Sequence, residues 1–387
     1  MNSKRILTII VFAQFCCTSL WFASNAVINP IIESFGLPVN ALSILTSAIQ
    51  LGFITGTLLF AIFNVADRFS PSKVFFVCAF LAAILNLGIT LPQNTLFNLI
   101  GLRFSIGILL AGIYPIGMKI ASDYFEAGLG KSLSFLVGAL VLGTAFPHII
   151  SNTINATLWK QVIIYTSLLA TLGGTLMLFL VPDGPYRIAS SSVKLSLFTT
   201  IFKSTKFKQT AFGYFGHMWE LYTFWAFVPV ILSYYSNSQN IPINVSLWSF
   251  IIIASGSLAC VFGGYISERT STKSTTLVAL ALSGFCCLIS PIILSTSSVL
   301  FVMVFLIFWG MVVIIDSPLL STMVAQNASA KTRGTALTIV NCIGYSLTIL
   351  SIQLLALLSQ HISIKYIFVI LSIGPIIGVI SLLKIKN

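Results

Sequence analysis

Long apolar segments alternate with short polar ones along the whole chain, and this pattern predicts helices that cross a membrane. A spanning helix needs about 20 apolar residues. The segments are continuously apolar, whereas the strands of a membrane barrel alternate apolar and polar residues. We therefore predict an all-α polytopic membrane protein with twelve transmembrane helices. The predicted spans are residues 6–29, 40–64, 74–92, 96–121, 132–151, 159–181, 209–235, 245–266, 275–294, 299–325, 334–358 and 365–383.

The longest polar break divides the chain into two halves. It covers residues 182–208, just before the midpoint of 387 residues, and it carries five basic residues against one acid, Asp183. Six predicted spans lie on each side of it. We therefore expect an N-terminal six-helix bundle over residues 1–181, a cytoplasmic linker over 182–208 and a C-terminal six-helix bundle over 209–387.

The two halves carry similar landmarks at similar positions, which indicates an internal repeat. An acid–arginine pair, Asp67-Arg68, follows span 2, and Glu268-Arg269 follows span 8, with the two acids 201 residues apart. Pro115 in span 4 and Pro318 in span 10 are 203 residues apart. Parallel repeats of six helices are a feature of secondary transporters. The pattern therefore predicts two pseudo-symmetric bundles.

The formal net charge of +12 indicates an orientation in the membrane. Charged residues are only 7% of the chain and hydrophobic residues are 57%, which excludes an ordinary soluble domain. With the N-terminus inside, 16 of the 20 basic residues fall on cytoplasmic segments, and only Lys160 and Lys365 fall outside. The positive-inside rule accounts for this placement without nucleic-acid binding. We expect both termini in the cytoplasm, and the short loops favour a bacterial inner membrane.

The sequence contains no motif that predicts an enzyme active site. The seven cysteines all lie within apolar segments, and their spacing indicates neither a metal site nor a disulfide framework. The sequence also lacks a phosphate-binding loop and a recognisable nucleophile with its base. We expect no catalytic residues, no metal and no cofactor.

The cytoplasmic loops resemble those of a known family. Ala66, Asp67 and Arg68, with Lys73 following, are similar to the loop motif of the major facilitator superfamily, and residues 264–273 resemble a second copy. Arg103 and Gly107, in span 4, are similar to the second motif of that superfamily. The resemblance covers the whole chain as a twelve-span architecture. It implies a secondary transporter whose two bundles rock around a central cavity, exposing it to each side of the membrane in turn.

The resemblance also implies a role for the acid–arginine loops. Asp67, Arg68, Glu268 and Arg269 would act as cytoplasmic latches. The alternative is that the two arginines only mark the cytoplasmic side of the membrane.

Polar residues on span 1 are candidates for the cavity wall. Gln14, Thr18, Trp21 and Asn25 are spaced i, i+4, i+7 and i+11, which places them on one face of a helix. In the superfamily that the chain resembles, spans 1, 4, 7 and 10 line the cavity. The spacing predicts the face, and the resemblance implies that Gln14, Trp21 and Asn25 contact the solute.

Span 4 contributes a basic candidate. Arg103 shares a predicted helix face with Gly107 and Tyr114, and a charge inside the membrane usually faces a cavity. We expect Arg103 and Tyr114 to line the cavity and Arg103 to bind an anionic solute. The alternative for Arg103 is a structural arginine that donates to carbonyl groups between spans.

Spans 7 and 10 carry the candidate proton-coupling residues. His217 and Glu220 are separated by three positions on span 7, so their side chains can meet. Histidine titrates near neutral pH, and a buried carboxyl can carry a proton. Asp316 in span 10 precedes a proline that bends the helix, and it is a candidate for both the cavity and proton coupling. The alternatives are a His–Glu bond that only locks span 7 and an Asp316 that caps the restarted helix.

These residues predict a proton-coupled symporter of the plasma membrane that acts as a monomer on a small organic anion or carboxylate. The alternative within the same class is an efflux pump for amphipathic compounds or for a secreted metabolite such as a siderophore. The aromatic-rich spans permit efflux, whereas span 5 lacks the Gly-Pro pair of the superfamily's antiporters and has only Gly138, Gly143 and Pro147. A membrane receptor that transports nothing is a further alternative.

Overall fold

All regular secondary structure of the described residues is helical. A computed structural model describes residues 3–124, 129–154, 156–187, 198–329 and 332–385. The chain forms two compact units, Met1–Lys194 and Leu195–Asn387. Their boundary lies inside the segment predicted as a linker, of which residues 188–197 are outside the described part.

The N-terminal unit is built from nine helices among its described residues. Helix α3 packs along α6, α5 packs along α9, and α1 packs against α8 and α9. The helices are α1 (Ser3–Thr18), α2 (Ile28–Phe35), α3 (Ala41–Ile62), α4 (Val65–Arg68), α5 (Pro71–Gly88), α6 (Leu96–Leu110), α7 (Tyr114–Tyr124), α8 (Leu129–Thr153) and α9 (Lys160–Leu180), with short 3-10 turns at Asn25–Val27 and Ala156–Leu158.

The C-terminal unit has eight helices among its described residues. Helix α11 is the central one and packs against α14, α15 and α17, while α13 packs against α14 and α17. The helices are α10 (Phe198–Ile201), α11 (Thr205–Gln239), α12 (Val245–Arg269), α13 (Thr272–Ile293), α14 (Val299–Asn327), α15 (Arg333–Leu358), α16 (Ile364–Ile367) and α17 (Ile373–Leu383), with a 3-10 segment at Phe368–Ser372.

Ten helical segments of the described chain are long and apolar enough to cross a membrane. The shorter apolar helix Arg5–Thr18 belongs to the first predicted span. Helix α11 has 35 residues, which is long enough to span, but its polar and aromatic residues keep its hydropathy below that of the ten. The ten segments together with α1 and α11 are consistent with the twelve predicted spans.

The first span is interrupted, which corrects the prediction of a single helix over residues 6–29. Helix α1 ends at Thr18, and regular helix resumes only at Asn25. The hydroxyl of Thr18 donates to the Gln14 carbonyl at 2.9 Å, and that of Ser19 donates to the Cys16 carbonyl at 2.7 Å. Such local bonds compete with the helix ladder. Trp21 and Asn25 therefore do not continue the α1 face that carries Gln14.

The fourth span is also divided, so Tyr114 does not share a continuous helix with Arg103. Helix α6 ends at Leu110, and α7 begins at Tyr114 with Pro115 as its second residue. Proline lacks a backbone N–H and is tolerated in the first turn of a helix. The fourth predicted span therefore consists of two helices separated by a short turn, and the periodicity that joined Arg103 to Tyr114 does not extend across it.

Glycines allow α3 and α6 to approach closely. A Cβ atom on Gly107 would meet the Ile49 carbonyl and the Phe53 backbone nitrogen, and one on Gly52 would meet the Phe104 carbonyl. Small residues at helix contacts are the usual route to tight packing inside a membrane. Gly107 therefore serves the packing of the N-terminal unit.

Replacing Gly107 by alanine should destabilise this unit. The added methyl group would force the α3 backbone aside, and overpacking typically costs about 1–3 kcal/mol. We expect a clear fall in the melting temperature of the detergent-solubilised protein. Gly101→Ala, in the same helix, is the matched control, because a Cβ atom there meets nothing within 4 Å. Equal melting temperatures for the two variants would contradict this packing.

Candidate functional site

Arg103 is completely buried and bonds to the break in the first span. Its Nη1 donates to the Leu20 carbonyl at 3.1 Å, and its Nη2 donates to the Trp21 carbonyl at 2.5 Å and to Asn25 Oδ1 at 3.4 Å. These carbonyls lie in the non-helical stretch after α1. The guanidinium therefore satisfies backbone acceptors that the break has freed, which matches the structural alternative for Arg103.

The same contacts remove the basis for an anionic solute. We expected Arg103 to offer its charge to a carboxylate, but both terminal nitrogens donate to oxygens of the protein. Only Nε, which is buried, makes no hydrogen bond in the structure. The physical reason is that a carbonyl inside hydrocarbon must be bonded, and Arg103 is the donor at this position.

Asn25 and Trp21 are fixed between the break and α3. The Asn25 amide donates to the Thr46 hydroxyl at 2.8 Å. The Trp21 ring packs on Phe53 with 4.9 Å between ring centroids. Both side chains are buried. Their positions follow from the Arg103 bonds and from α3, so this group forms one connected structural cluster.

Gln14 differs from Trp21 and Asn25, which were predicted to lie on the same helix face. It is completely buried on α1, and neither polar atom of its amide makes a hydrogen bond in the structure. A Cβ atom on Gly117 of α7 would meet Gln14 Oε1, so this glycine makes room for the amide. Buried polar groups without partners are costly. Gln14 is therefore a buried amide whose two polar atoms have no protein partner in the structure.

In the C-terminal unit His217 pairs with Asp316. His217 Nδ1 lies 2.9 Å from Asp316 Oδ1, and both side chains are at most 2% exposed. The two atoms are within ion-pair distance, although they are not aligned as a hydrogen bond. Helix α14 therefore supplies a partner for His217, and the contact expected between His217 and Glu220 stays a prediction. Asp316 thus has a partner on another helix.

Glu220 is held by three neutral donors from two other helices. Its Oε1 accepts from the Ser283 hydroxyl at 2.6 Å, the Cys287 thiol at 3.2 Å and the Trp309 indole N–H at 2.7 Å. Glu220 is only 1% exposed. All three donors therefore share one acceptor atom, Oε1 of Glu220.

Helix α14 connects the two acidic groups. Trp309 and Asp316 are seven residues apart, which is two turns on one face of a helix, and they contact Glu220 and His217 of α11 respectively. The Trp309 ring is packed by Phe224 at 4.5 Å between centroids. The result is one buried cluster of three titratable groups along the contact between α11 and α14.

Asp67, the acid of the loop after α3, is paired with residues of its own unit. Asp67 Oδ1 lies 3.0 Å from Lys119 Nζ, and Lys119 is also 3.7 Å from Asp123. Arg187, beyond α9, donates to the carbonyls of Asp67 and Phe69 at 3.1 and 2.8 Å. The loop after α3 is therefore held by α7 and by the segment after α9.

The other predicted latch residues are exposed. Arg68 lies at the end of α4, and Glu268 and Arg269 form the end of α12. The second copy of the loop has a different local structure, because α12 continues through Arg269 whereas α3 ends before Asp67.

Sequence reasoning missed three partners that complete these groups. Ser283 and Cys287 carry no signal in the sequence, because serine and cysteine are ordinary residues of apolar helices. Arg187 was predicted only as a linker residue, since a basic residue after a span needs no further explanation.

The comparison with protein families gives a match over most of the chain. The sequence model of the Major Facilitator Superfamily matches residues 10–352. A comparison with curated proteins finds no match. The match includes every residue of the Arg103 and Glu220 groups, and it confirms the family resemblance and the all-α membrane fold.

Substitutions of Arg103 test whether its role is structural. Arg103→Ala leaves buried oxygens without their donor, and each such group costs about 1–3 kcal/mol. We expect a marked loss of thermal stability in detergent together with a loss of transport, and an intermediate loss for Arg103→Lys. The exposed Arg5→Ala serves as a control. An Arg103→Ala protein that melts like the wild type yet no longer transports would instead place Arg103 in solute binding.

Proposed function

This chain belongs to the Major Facilitator Superfamily of secondary transporters, and we propose that it couples solute movement to protons through His217, Glu220 and Asp316. The observation that carries the proposal is the buried cluster of these three groups in the C-terminal unit. Ionisable residues inside a membrane are costly and commonly belong to proton or ion pathways. We propose a monomer that works as a symporter in the plasma membrane, with both termini in the cytoplasm.

The partners of the two carboxyls support proton exchange. Among the described residues, no lysine or arginine lies within ion-pair distance of Glu220 or Asp316. Glu220 is held by neutral donors, and Asp316 faces the imidazole of His217, which is not a permanent cation. Each carboxyl can therefore gain or lose a proton without abandoning a permanent cation.

The proposed solute class is argued from Gln14 and from the aromatic residues of α11. Arg103 no longer argues for an organic anion, because its terminal nitrogens donate to oxygens of the protein. The unbonded amide of Gln14 supports a solute with hydrogen-bonding groups. The buried aromatic residues of α11, including Phe224 and Trp225, support the alternative of an amphipathic or secreted compound that is exported. The experiment below therefore includes both polar and amphipathic compounds.

The cytoplasmic loop of the N-terminal unit fits a latch that opens during transport. Asp67 is paired with Lys119 on α7, and Arg187 binds the same loop through its backbone. Separating α3 from α7 at this end would break these bonds. We propose this role for the loop around Asp67 and Arg68, and a related one for Glu268 and Arg269.

Proton movement in proteoliposomes tests the proposed function. The purified protein is reconstituted with a pH-sensitive dye inside the vesicles, and pools of organic acids, neutral polar compounds and cationic amphipathic compounds are added in turn. We expect one pool to drive proton flux and Glu220→Gln to abolish it, because the amide cannot release a proton. The direction of flux separates symport from antiport.

The matched control is Glu33→Gln, the same chemical change at an exposed position of α2. It should leave proton flux unchanged. Solute transport by the wild type without any proton flux, or full proton flux in Glu220→Gln, would exclude coupling through this cluster. Vesicles that move none of the pools would favour the non-transporting receptor.

A further inference from the structure

Glu220 links α11 to α13, a helix that contributes no residue to the His217–Asp316 pair. Two of its three donors, Ser283 and Cys287, are four residues apart on α13 and therefore lie on one face of that helix. Helix α11 packs mainly against α14, α15 and α17. The long side chain of Glu220 thus carries the contact from α11 across to α13.

The donors on the two sides of Glu220 are held differently. Trp309 is fixed by aromatic contacts, with centroid distances of 4.5 Å to Phe224 and 5.6 Å to Phe305. Ser283 and Cys287 are small side chains whose positions follow the backbone of α13. A shift of α13 therefore changes their bonds to Glu220 directly, whereas the Trp309 bond is held by its ring.

The strength of these bonds depends on the charge of Glu220. A hydrogen bond to a carboxylate is shorter and roughly twice as strong as one to a neutral group. An ionised Glu220 therefore draws Ser283 and Cys287 towards α11. Protonation weakens both bonds at once, because both donors reach the same oxygen.

We propose that Ser283 and Cys287 are positioning residues that tie the location of α13 to the protonation state of Glu220. This inference rests on the proposed function, because it assumes that Glu220 changes its protonation state during transport. It extends that function by naming α13 as the helix that responds to the proton. Neither residue gives up a proton itself; each acts through the bond that it donates.

The test variants leave the carboxyl and imidazole groups around Glu220 in place and change only the donors and thiols of α13. On its own helix there is His217, paired with Asp316 of α14, and on α13 there are the thiols of Cys286 and Cys287. Asp316 acts on Glu220 as a like charge. Because variants of Ser283 or Cys287 leave the His217–Asp316 pair in place, any change that they produce reports the two donors.

Infrared difference spectra of the wild-type protein in lipid vesicles, without solute, can follow Glu220 directly. The carboxyl C=O band that disappears in Glu220→Gln identifies this residue, and a pH titration gives its midpoint. We expect Ser283→Ala and Cys287→Ala to move the midpoint to higher pH by about one unit, since the ionised form loses a donor. Cys287→Ser retains a donor and should restore the wild-type midpoint.

The neighbouring Cys286→Ala is the matched control, because this thiol makes no bond to Glu220. It removes a buried thiol from the same turn of α13 and should leave the midpoint unchanged. A general loosening of the unit would affect Cys286→Ala and Cys287→Ala alike, and this result would overturn the proposal.

Hydrogen exchange of the backbone amides of α13 measures the response of the helix. After correction for the intrinsic effect of pH, we expect exchange over Thr272–Ile293 to rise as Glu220 becomes protonated, and this rise to be absent in the Ser283→Ala/Cys287→Ala double variant. Equal midpoints and equal exchange in all variants would overturn the inference while leaving proton coupling intact. A Glu220 band that never titrates would instead overturn the proposed function together with the inference.

Discussion

The structure depends on one constraint, which is that a polar group inside hydrocarbon must have a partner. Each backbone carbonyl that loses its place in a helix exposes an unpaired acceptor at a cost of several kcal/mol. The first span loses its helix after Thr18, and Arg103 supplies the missing donors from a helix 83 residues further along the chain. The break and the buried cation stabilise each other. The interrupted span provides the oxygens that bond the guanidinium, and the guanidinium supplies donors to the carbonyls of the interruption.

The C-terminal unit meets the same constraint with a different chemistry. Glu220 has no permanent cation beside it in the described structure, and three neutral donors hold it instead. Neutral donors stabilise a carboxylate less firmly than an arginine would, so proton uptake carries a smaller penalty. Asp316 has His217 as its partner, so this carboxyl also has no lysine or arginine beside it in the described structure. The N-terminal unit therefore uses a buried arginine to bond carbonyls that a helix break has freed, whereas the C-terminal unit holds buried carboxyls without a permanent cation.

Hydropathy was sufficient to predict the helical class, because the cost of exposing polar backbone in a bilayer sets the length of each apolar run. The same signal could not show the break after Thr18, since the apolar pattern continues through it and a threonine or serine is compatible with a helix. Periodicity placed His217 and Glu220 close together, but it could not choose their partners. That choice depends on how α11 is rotated against α14 and α13, and no local pattern specifies the rotation.

The location of the Glu220 partners limits how a proton could drive transport. Ser283, Cys287 and Trp309 all belong to the same compact unit as Glu220. In the proposed function, a change in the protonation of Glu220 would therefore act on hydrogen bonds inside that unit. Helix α13 also packs tightly on α17, where a Cβ atom on Gly284 would come within 2.9 Å of Pro375. Helix α17 packs closely on α11 as well, where a Cβ atom on Gly216 would meet the Gly374 carbonyl. Glu220 and its α13 donors therefore belong to helices that both pack on α17, and a change in the bonds of Glu220 would act within this closely packed group of helices.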